Sequence, residues 1–165
     1  MILITVGSRE YPFDRLIRQV DQLVERGVIT DTVIGQIGHS TYEPKHFQWY
    51  RFLDRELFRE YQAKADIIIS HAGAGALVSA LKLEKAVISV PRLCRYGEHI
   101  DDHQIQISGA LASEGYLREV LDMEHLEDVL CETIEHPIHK KYEKPSNILS
   151  IIERKLEQWI QDGLR

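Results

Sequence analysis

Residues 66–104 constrain the fold more than any other stretch, because two short apolar segments flank a turn of small residues there. Residues 67–69 are an apolar run bounded by turn formers, which is typical of a buried parallel strand. A helical pattern begins near Ala76, and residues 86–90 form a second apolar strand. The pattern predicts a strand–helix–strand unit whose polar residues gather at the carboxyl ends of its strands. Open α/β sheets bind their ligands at those ends.

The turn between this strand and helix contains Gly73 and Gly75. A turn without β-carbons lets the backbone approach a ligand, and the following helix offers unpaired N–H groups and a positive dipole end. A phosphate or diphosphate is the natural ligand for such a turn. Small residues between a strand and a helix also permit tight packing without any ligand, so spacing alone leaves both interpretations open.

A second strand–turn–helix unit opens the chain. Residues 2–6 form a β-branched run that ends at Gly7, Ser8 and Arg9, and a helix follows from Pro12. Its apolar positions recur at helical spacing and predict a core-facing stripe of Phe13, Leu16, Ile17, Val20, Leu23 and Val24. The turn would present further backbone donors, with Ser8 as a ligand group or an ordinary turn residue. Two such turns at one sheet edge favour an anion site more than either alone.

The rest of the chain continues the alternation of strands and helices. We predict strands at residues 32–37, 48–53 and 116–120, and helices at residues 55–65, from Gln104 to Glu114 with Gly115 closing it, through Leu126 and Ile134 up to Pro137, and from Ser146 to Asp162. This order predicts an α/β fold with a Rossmann-like parallel sheet and helices on both faces, in one domain over residues 1–165. The C-terminal segment 146–165 is widely apolar, so it either packs on its own sheet or docks on a partner.

Charge and cysteine usage exclude several classes of protein. The formal net charge is −6, whereas general nucleic-acid binding requires basic faces. Cys94 and Cys131 lie far apart without a CxxC motif, so we expect neither a disulfide framework nor a zinc site, and a reduced, cytoplasmic setting fits. We find no apolar run near the roughly 18–20 residues of a membrane span and no basic signal-peptide region at the N-terminus.

Four ordered motifs carry a resemblance to a known family: MILITVGSREYPFDRLI, IGHSTYEP, DIIISHAGAG and VPRLCRYGEHIDDHQ. Together they resemble the small bacterial exopolysaccharide glycosyltransferase subunits of the PssE type, which are glycosyltransferases of the family 28 C-terminal-domain type. They are also similar to the donor-binding half of MurG and to the catalytic subunit of the eukaryotic two-subunit enzyme that adds the second N-acetylglucosamine to dolichol diphosphate. The resemblance covers residues 1–115.

The resemblance implies a GT-B glycosyltransferase that is split into two chains, with this chain equivalent to the C-terminal half. This half would hold a UDP-sugar, and a membrane-anchored subunit of the PssD type would supply the other half. The expected reaction transfers the sugar with inversion to a lipid-diphosphate-linked sugar at the inner face of the membrane, without a metal or a further cofactor. Two questions stay open: whether the isolated chain forms a homo-oligomer, and whether it is instead a non-catalytic nucleotide-binding or scaffolding subunit that enhances a partner.

Site residues follow from the resemblance position by position. Gly7 and Ser8 match the first phosphate-side loop, while His103 and Gln104 match a pair that contacts the donor sugar. The glycine-rich loop near the nucleotide is matched by His71, Ala72, Gly73, Ala74 and Gly75. Where MurG-like enzymes carry an acidic residue for the ribose hydroxyls, this chain has Ser79, which implies a changed nucleotide contact.

Loss of UDP requires stabilisation of the departing diphosphate and a base for the acceptor hydroxyl. Arg9 and Arg92 are the candidate charge partners of the diphosphate, although Arg92 could also be a solvated loop residue, as could its neighbour Arg95. Glu98 and His99 are the candidate bases, because an adjacent acid and imidazole lie in a stretch without a helix or strand pattern. The partner chain could supply the base instead.

Two further groups have competing interpretations. Asp101, Asp102 and His103 could bind a metal, but they also form an ordinary acidic helix start with Asp101 as the cap, so we predict no metal site. The aromatic residues 47–52 are more typical of core or edge packing than of a sugar platform.

Overall fold

The computed structural model describes residues 1–143. Its strands are β1 (Ile2–Thr5), β2 (Val33–Gln36), β3 (Gln48–Tyr50), β4 (Ile67–His71), β5 (Ala86–Val90) and β6 (Arg118–Glu119). Its helices are α1 (Asp14–Glu25), α2 (Arg55–Lys64), α3 (Ala74–Lys82), α4 (His103–Ser113) and α5 (Leu126–Glu135), with short 3-10 turns at Cys94–Tyr96 and Met123–His125. The predicted C-terminal helix of residues 146–165 lies outside the described residues.

All six strands form one parallel sheet in the order β3-β2-β1-β4-β5-β6. The chain first moves outwards from β1 to β3 and then returns to place β4 on the other side of β1. This reversal makes the β1–β4 junction the topological switch point, where Rossmann-like sheets open a crevice for ligands. The predicted parallel α/β sheet is confirmed.

Helices cover both faces of the sheet, as predicted. Alternate residues of β1 point to opposite faces, so Ile2 and Ile4 pack in one core while Leu3 packs in the other. The first core contains α1 and α5, and the second contains α2, α3 and α4. Because both faces are covered, the central strands β1, β4 and β5 are mainly apolar rather than alternating.

Local sequence signals are visible at the start of α2 and at the end of α4. Asp54 caps α2 by accepting hydrogen bonds from the N–H groups of Glu56 (2.9 Å) and Leu57 (2.8 Å). Gly115 follows α4 with a positive φ of 71°, which confirms its predicted role. Helix α1 begins at Asp14 rather than at Pro12, which lies just ahead of its first turn.

The chain departs from the predicted strand at residues 48–53. Strand β3 ends at Tyr50, because the N–H of Leu53 donates to the side-chain oxygen of Gln36 (3.1 Å) instead of continuing the ladder. Trp49 packs against the first core, whereas Phe52 is 49% exposed. Aromatic packing is thus the main role of this segment.

Two further observations concern the cysteines and the lengths of the helices. Cys94 and Cys131 are free and exposed. Among residues 1–143, the helices lack the length and hydrophobicity that crossing a bilayer would require.

Candidate functional site

The two glycine turns meet at the switch point. Strands β1 and β4 are neighbours in register, with Thr5 opposite Ser70, so their carboxyl ends lie side by side. A β-carbon added at either Gly7 or Gly73 would lie 2.5 Å from Nε2 of His71. The imidazole therefore lies between the two turns, and the predicted convergence of the turns at one rim is confirmed.

Both turns need glycine for reasons that the geometry makes specific. Gly7 has a φ of 76°, which side chains disfavour, and any β-carbon there or at Gly73 would collide with His71. Gly73 is the N-cap of α3 and has no side chain with which to cap it. The first-turn N–H groups of α3 therefore face the rim together with the positive end of the helix dipole. This arrangement suits an anion.

His71 is neutral at the centre of the rim. Its Nδ1 lies 3.2 Å from the carbonyl oxygen of Thr5, so Nδ1 carries the proton and Nε2 does not. Burial is the main cause that lowers the pKa of His71 to about 4, and the nearby Arg92 lowers it further. The ring thus fills the gap between the two turns without adding a positive charge.

A cleft of about 450 Å³ opens from this rim towards α2. It is lined by five of the residues predicted to bind UDP-sugar: Gly7, Ser8, His71, Gly75 and Ser79. Six lining residues were missed from sequence: Thr5, Gln36, Leu53, Arg55, Phe58 and Ala76. Thr5 and Ala76 adjoin the two predicted turns, whereas the other four end or follow β2 or β3, so only the strand order, with β2 beside β1, could have indicated them.

Arg9, Ala72 and Ser79, all predicted to bind UDP-sugar, differ in the groups that they can present to a ligand. Arg9 is exposed and makes no hydrogen bond or ion pair with residues 1–143, so it remains available as a cation beside Gly7. Ala72 is fully buried and can contribute only its backbone. The hydroxyl of Ser79 donates to the side-chain oxygen of Gln62 (3.2 Å), which points it towards α2.

Arg92 is a buried structural cation rather than a solvated or ligand-facing one. Its side chain is 1% exposed and donates to four backbone carbonyls, at 2.6–3.1 Å: those of Val6, Tyr11, Pro12 and Glu98. Its guanidinium also lies 4.8 Å from the centre of the Phe13 ring. Burial lowers its pKa to about 10, so it stays charged at neutral pH. The prediction that Arg92 contacts the diphosphate is corrected, because the side chain is buried and the carbonyls engage both of its terminal nitrogens, while its buried Nε has no hydrogen-bond partner within residues 1–143.

The carboxylate of Glu98 is likewise buried and hydrogen-bonded within the protein. One carboxylate oxygen accepts from Nε of Arg15 (2.7 Å), and the other accepts from the N–H of Leu93 (3.0 Å). The residue is 4% exposed. A carboxylate held in this way cannot serve as the predicted base.

His99 lies beside Glu98, and its geometry does not suit the predicted role of a base. Its Nδ1 accepts a long hydrogen bond from the N–H of Asp101 (3.4 Å), which leaves the proton on Nε2. Its ring packs near Tyr11, at 5.8 Å between centroids. His99 is close enough to His71 to contribute to the lowered pKa of that ring, so the loop and the rim form one region.

Residues 103 and 104 begin α4 next to this loop. The side-chain oxygen of Gln104 accepts from the N–H of Arg92 (3.0 Å), while its Nε2 has no hydrogen-bond partner within residues 1–143. The N-cap of α4 is Asp102 rather than the predicted Asp101, but Asp101 accepts from the N–H of His103 (3.1 Å) and also pairs with the ring of His103. That pairing lowers the pKa of Asp101. His103 is 48% exposed and Gln104 keeps a free donor, so both can still reach a ligand.

Proteins with known names are similar to this chain in sequence. The chain matches the glycosyltransferase family 28 C-terminal domain over residues 1–158. The UDP-N-acetylglucosamine transferase subunit ALG13 of Mus musculus is 29% identical over 130 residues, or 69% of this chain. Its Homo sapiens counterpart is 32% identical over 126 residues, or 70% of this chain. The chain spans 10% of the length of each of these relatives.

Solved structures share the fold at low sequence identity. The glycotransferase of kitacinnamycin superposes with a TM-score of 0.60 at 14% identity, over 82% of this chain and 35% of that one. MurG of Acinetobacter baumannii gives 0.58 at 18% identity, over 79% and 40%. The NMR structure of ALG13 gives 0.56 at 18% identity, over 84% and 87%. The fold is that of the C-terminal half of a GT-B glycosyltransferase, as predicted. Because the family match runs over residues 1–158, this chain belongs to the glycosyltransferase family 28 C-terminal domain family.

Proposed function

We propose that this chain is the catalytic, UDP-sugar-binding subunit of a two-subunit inverting glycosyltransferase that acts on a lipid-diphosphate-linked sugar in exopolysaccharide or capsule synthesis. The convergence of the Gly7 and Gly73 turns on His71 carries the proposal, because it places backbone donors from two strand ends around one small space. The relatives named as UDP-N-acetylglucosamine transferase subunits support both the donor class and the need for a partner.

The rim would act on the leaving group. The acceptor hydroxyl attacks C1 of the donor sugar from the face opposite the diphosphate, the bond from C1 to the diphosphate oxygen breaks, and UDP departs. The N–H groups at the start of α3 stabilise the charge that develops on the diphosphate, and Arg9 adds a cation at its edge. No metal ion is needed for this step, because these groups supply the positive potential.

The donor sugar would lie towards α4. Nε2 of Gln104 has no partner within the described part of the chain, so it can donate to a sugar hydroxyl while the side-chain oxygen stays bound to Arg92. His103 is half-exposed beside it. Arg92 ties the Gly7 turn to the β5–α4 loop, since it bonds the carbonyls of Val6 and Glu98.

We assign the base to the partner subunit. Both oxygens of Glu98 are occupied, and the unprotonated nitrogen of His99 faces Asp101. A membrane-anchored partner of the PssD type would bring the lipid-linked acceptor and the base to this rim. This chain would then work at the cytoplasmic face, held at the membrane through its partner.

A matched pair of glycine variants tests the proposal. Gly7 and Gly27 have similar positive φ angles, 76° and 72°, but only Gly7 has His71 against its missing side chain. We expect the full-length chain to bind UDP by isothermal titration calorimetry. Gly7→Ala should weaken binding at least about tenfold, since it displaces His71 and the turn, whereas Gly27→Ala should bind like the wild type; both share the backbone strain of an alanine at positive φ.

The two ways of failing are distinct. A folded wild-type chain that shows no heat with UDP would favour a non-catalytic scaffolding subunit. Equal losses in the two variants would mean that the effect comes from backbone strain and not from the rim.

A further inference from the structure

Three potential metal ligands lie together where the β5–α4 loop enters α4. One ligand atom each from His99, Asp101 and His103 lie within 4.8 Å of one another. The Nδ1 atoms of both imidazoles face the same carboxylate oxygen, Oδ1 of Asp101. The His99 ring is 8% exposed and lies 4.8 Å from the His103 ring between centroids. Packing therefore holds one ligand in place while the other two remain accessible.

The spacing explains why these side chains converge. They alternate along the chain at positions 99, 101 and 103, and the residues between them are turned elsewhere. Ile100 is 71% exposed, and the carboxylate of Asp102 accepts from the N–H of Cys94 (2.8 Å). The set therefore differs from the run of residues 101–103 that the sequence suggested, because Asp102 is engaged and His99 takes its place.

A hydrogen-bonded helix start accounts for only part of this cluster. It explains why Asp101 binds the N–H and the ring of His103. It does not explain why Nδ1 of His99, which accepts the long bond from the N–H of Asp101, also lies 3.3 Å from the same carboxylate oxygen. Two imidazole nitrogens and a carboxylate oxygen are ligands that zinc and related transition metals accept.

We propose that His99, Asp101 and His103 form a three-ligand site for a divalent transition-metal ion, for which Zn²⁺ fits the donor set best. Zinc sites with three protein ligands keep a fourth position for water or another ligand. The loop can adjust around an ion, because Asp101 and His103 are 52% and 48% exposed.

The ion would act as an inhibitor and not as a catalyst. Ligation would hold the His103 ring away from the donor sugar that the proposed function assigns to it. This consequence rests on the proposed function, whereas ion binding does not. The test therefore measures ion binding without any nucleotide.

Cobalt titration of the full-length protein tests the site. We expect one Co²⁺ per chain with a visible absorption band, displaced by Zn²⁺. Asp101→Asn and His103→Ala should each weaken binding at least about tenfold, as loss of a ligand or its support typically does. His136→Ala removes an exposed histidine at the end of α5 and should bind like the wild type.

Two results would overturn the proposal: no saturable binding by the wild type, or equal binding in all variants. Far-UV circular dichroism and thermal unfolding of each variant separate lost binding from lost folding. The two ligand substitutions are at half-exposed positions, so the cores should remain intact.

Discussion

The rim at the carboxyl ends of the strands has two halves, and they are built from different chemical groups. On the β1–β4 half, the turns at Gly7 and Gly73 contribute backbone groups, and one neutral imidazole fills the space between them. On the β5–α4 half, buried polar side chains do the work: Arg92, Glu98 and Gln104 are 1%, 4% and 5% exposed. The first half is open for an anion, and the second half holds the first in place.

This difference shows that charge near a site is not the same as charge in it. Arg92 bonds carbonyls from the β1–α1 turn and from its own loop, so its positive charge stabilises the backbone. The exposed Arg9, by contrast, makes no hydrogen bond or ion pair within residues 1–143 and can meet a ligand. The comparison can be tested by changing one half at a time.

Removal of the buried cation should have the largest effect. Arg92→Met leaves four backbone carbonyls without their donor, so we expect the free energy of unfolding to fall by about 3–5 kcal/mol, since each buried acceptor left unsatisfied costs about 1–3 kcal/mol. Urea denaturation of the full-length chain measures this loss. The exposed neighbour provides the control: Arg95→Met should change stability by no more than about 0.5 kcal/mol. Comparable losses in the two variants would contradict the buried role.

Acidification should lower the free energy of unfolding through His71, in the β1–β4 half of the rim. The pKa of His71 is lowered from 6.5 to about 4, so between these values the unfolded chain binds a proton that the folded chain does not. Stability is thus fully present above pH 6.5 and falls as the pH approaches 4, by no more than about 3 kcal/mol from this residue. Urea denaturation of the wild type and His71→Gln across this range isolates the effect, since other groups titrate in both. A difference between them that stays constant with pH would show that His71 is not the cause.

The smallest effect is expected where the two halves meet. Gln104→Glu keeps an oxygen that can accept from the N–H of Arg92 but loses the Nε2 donor. Sugar transfer with the co-expressed partner should fall about tenfold, the value of one hydrogen bond of about 1.4 kcal/mol, while UDP affinity changes little. If calorimetry and turnover show equal losses, Gln104 does not contact the sugar.

The β1–β4 half of the rim could be predicted from the sequence better than the β5–α4 half. Apolar strands followed by glycines are local patterns, so the βαβ unit, the parallel sheet and the meeting of Gly7 with Gly73 could all be predicted. A buried arginine and a solvated one look alike in a polar loop, because burial depends on Phe13 and on carbonyls distant in sequence. Glu98 was misinterpreted for the same reason, since its partner Arg15 lies in α1.

Residues brought in by strand order were also missed. Arg55 and Phe58 line the cleft because β3 pairs with β2 and β2 with β1, which carries α2 to the rim. Sequence spacing gives no sign of this. The apolar stripe of α1, by contrast, was predicted in full up to Leu23, because helical periodicity is set by the helix itself.

The sheet ends on both sides in very short strands. β3 has three residues and β6 has two, whereas the central strands β4 and β5 have five each. A long outer strand would offer its unpaired amide and carbonyl groups to another copy of the chain as a template for fibril-like growth. Such short edge strands offer few unpaired groups, so copies of this chain have little to pair with along the edges of the described sheet.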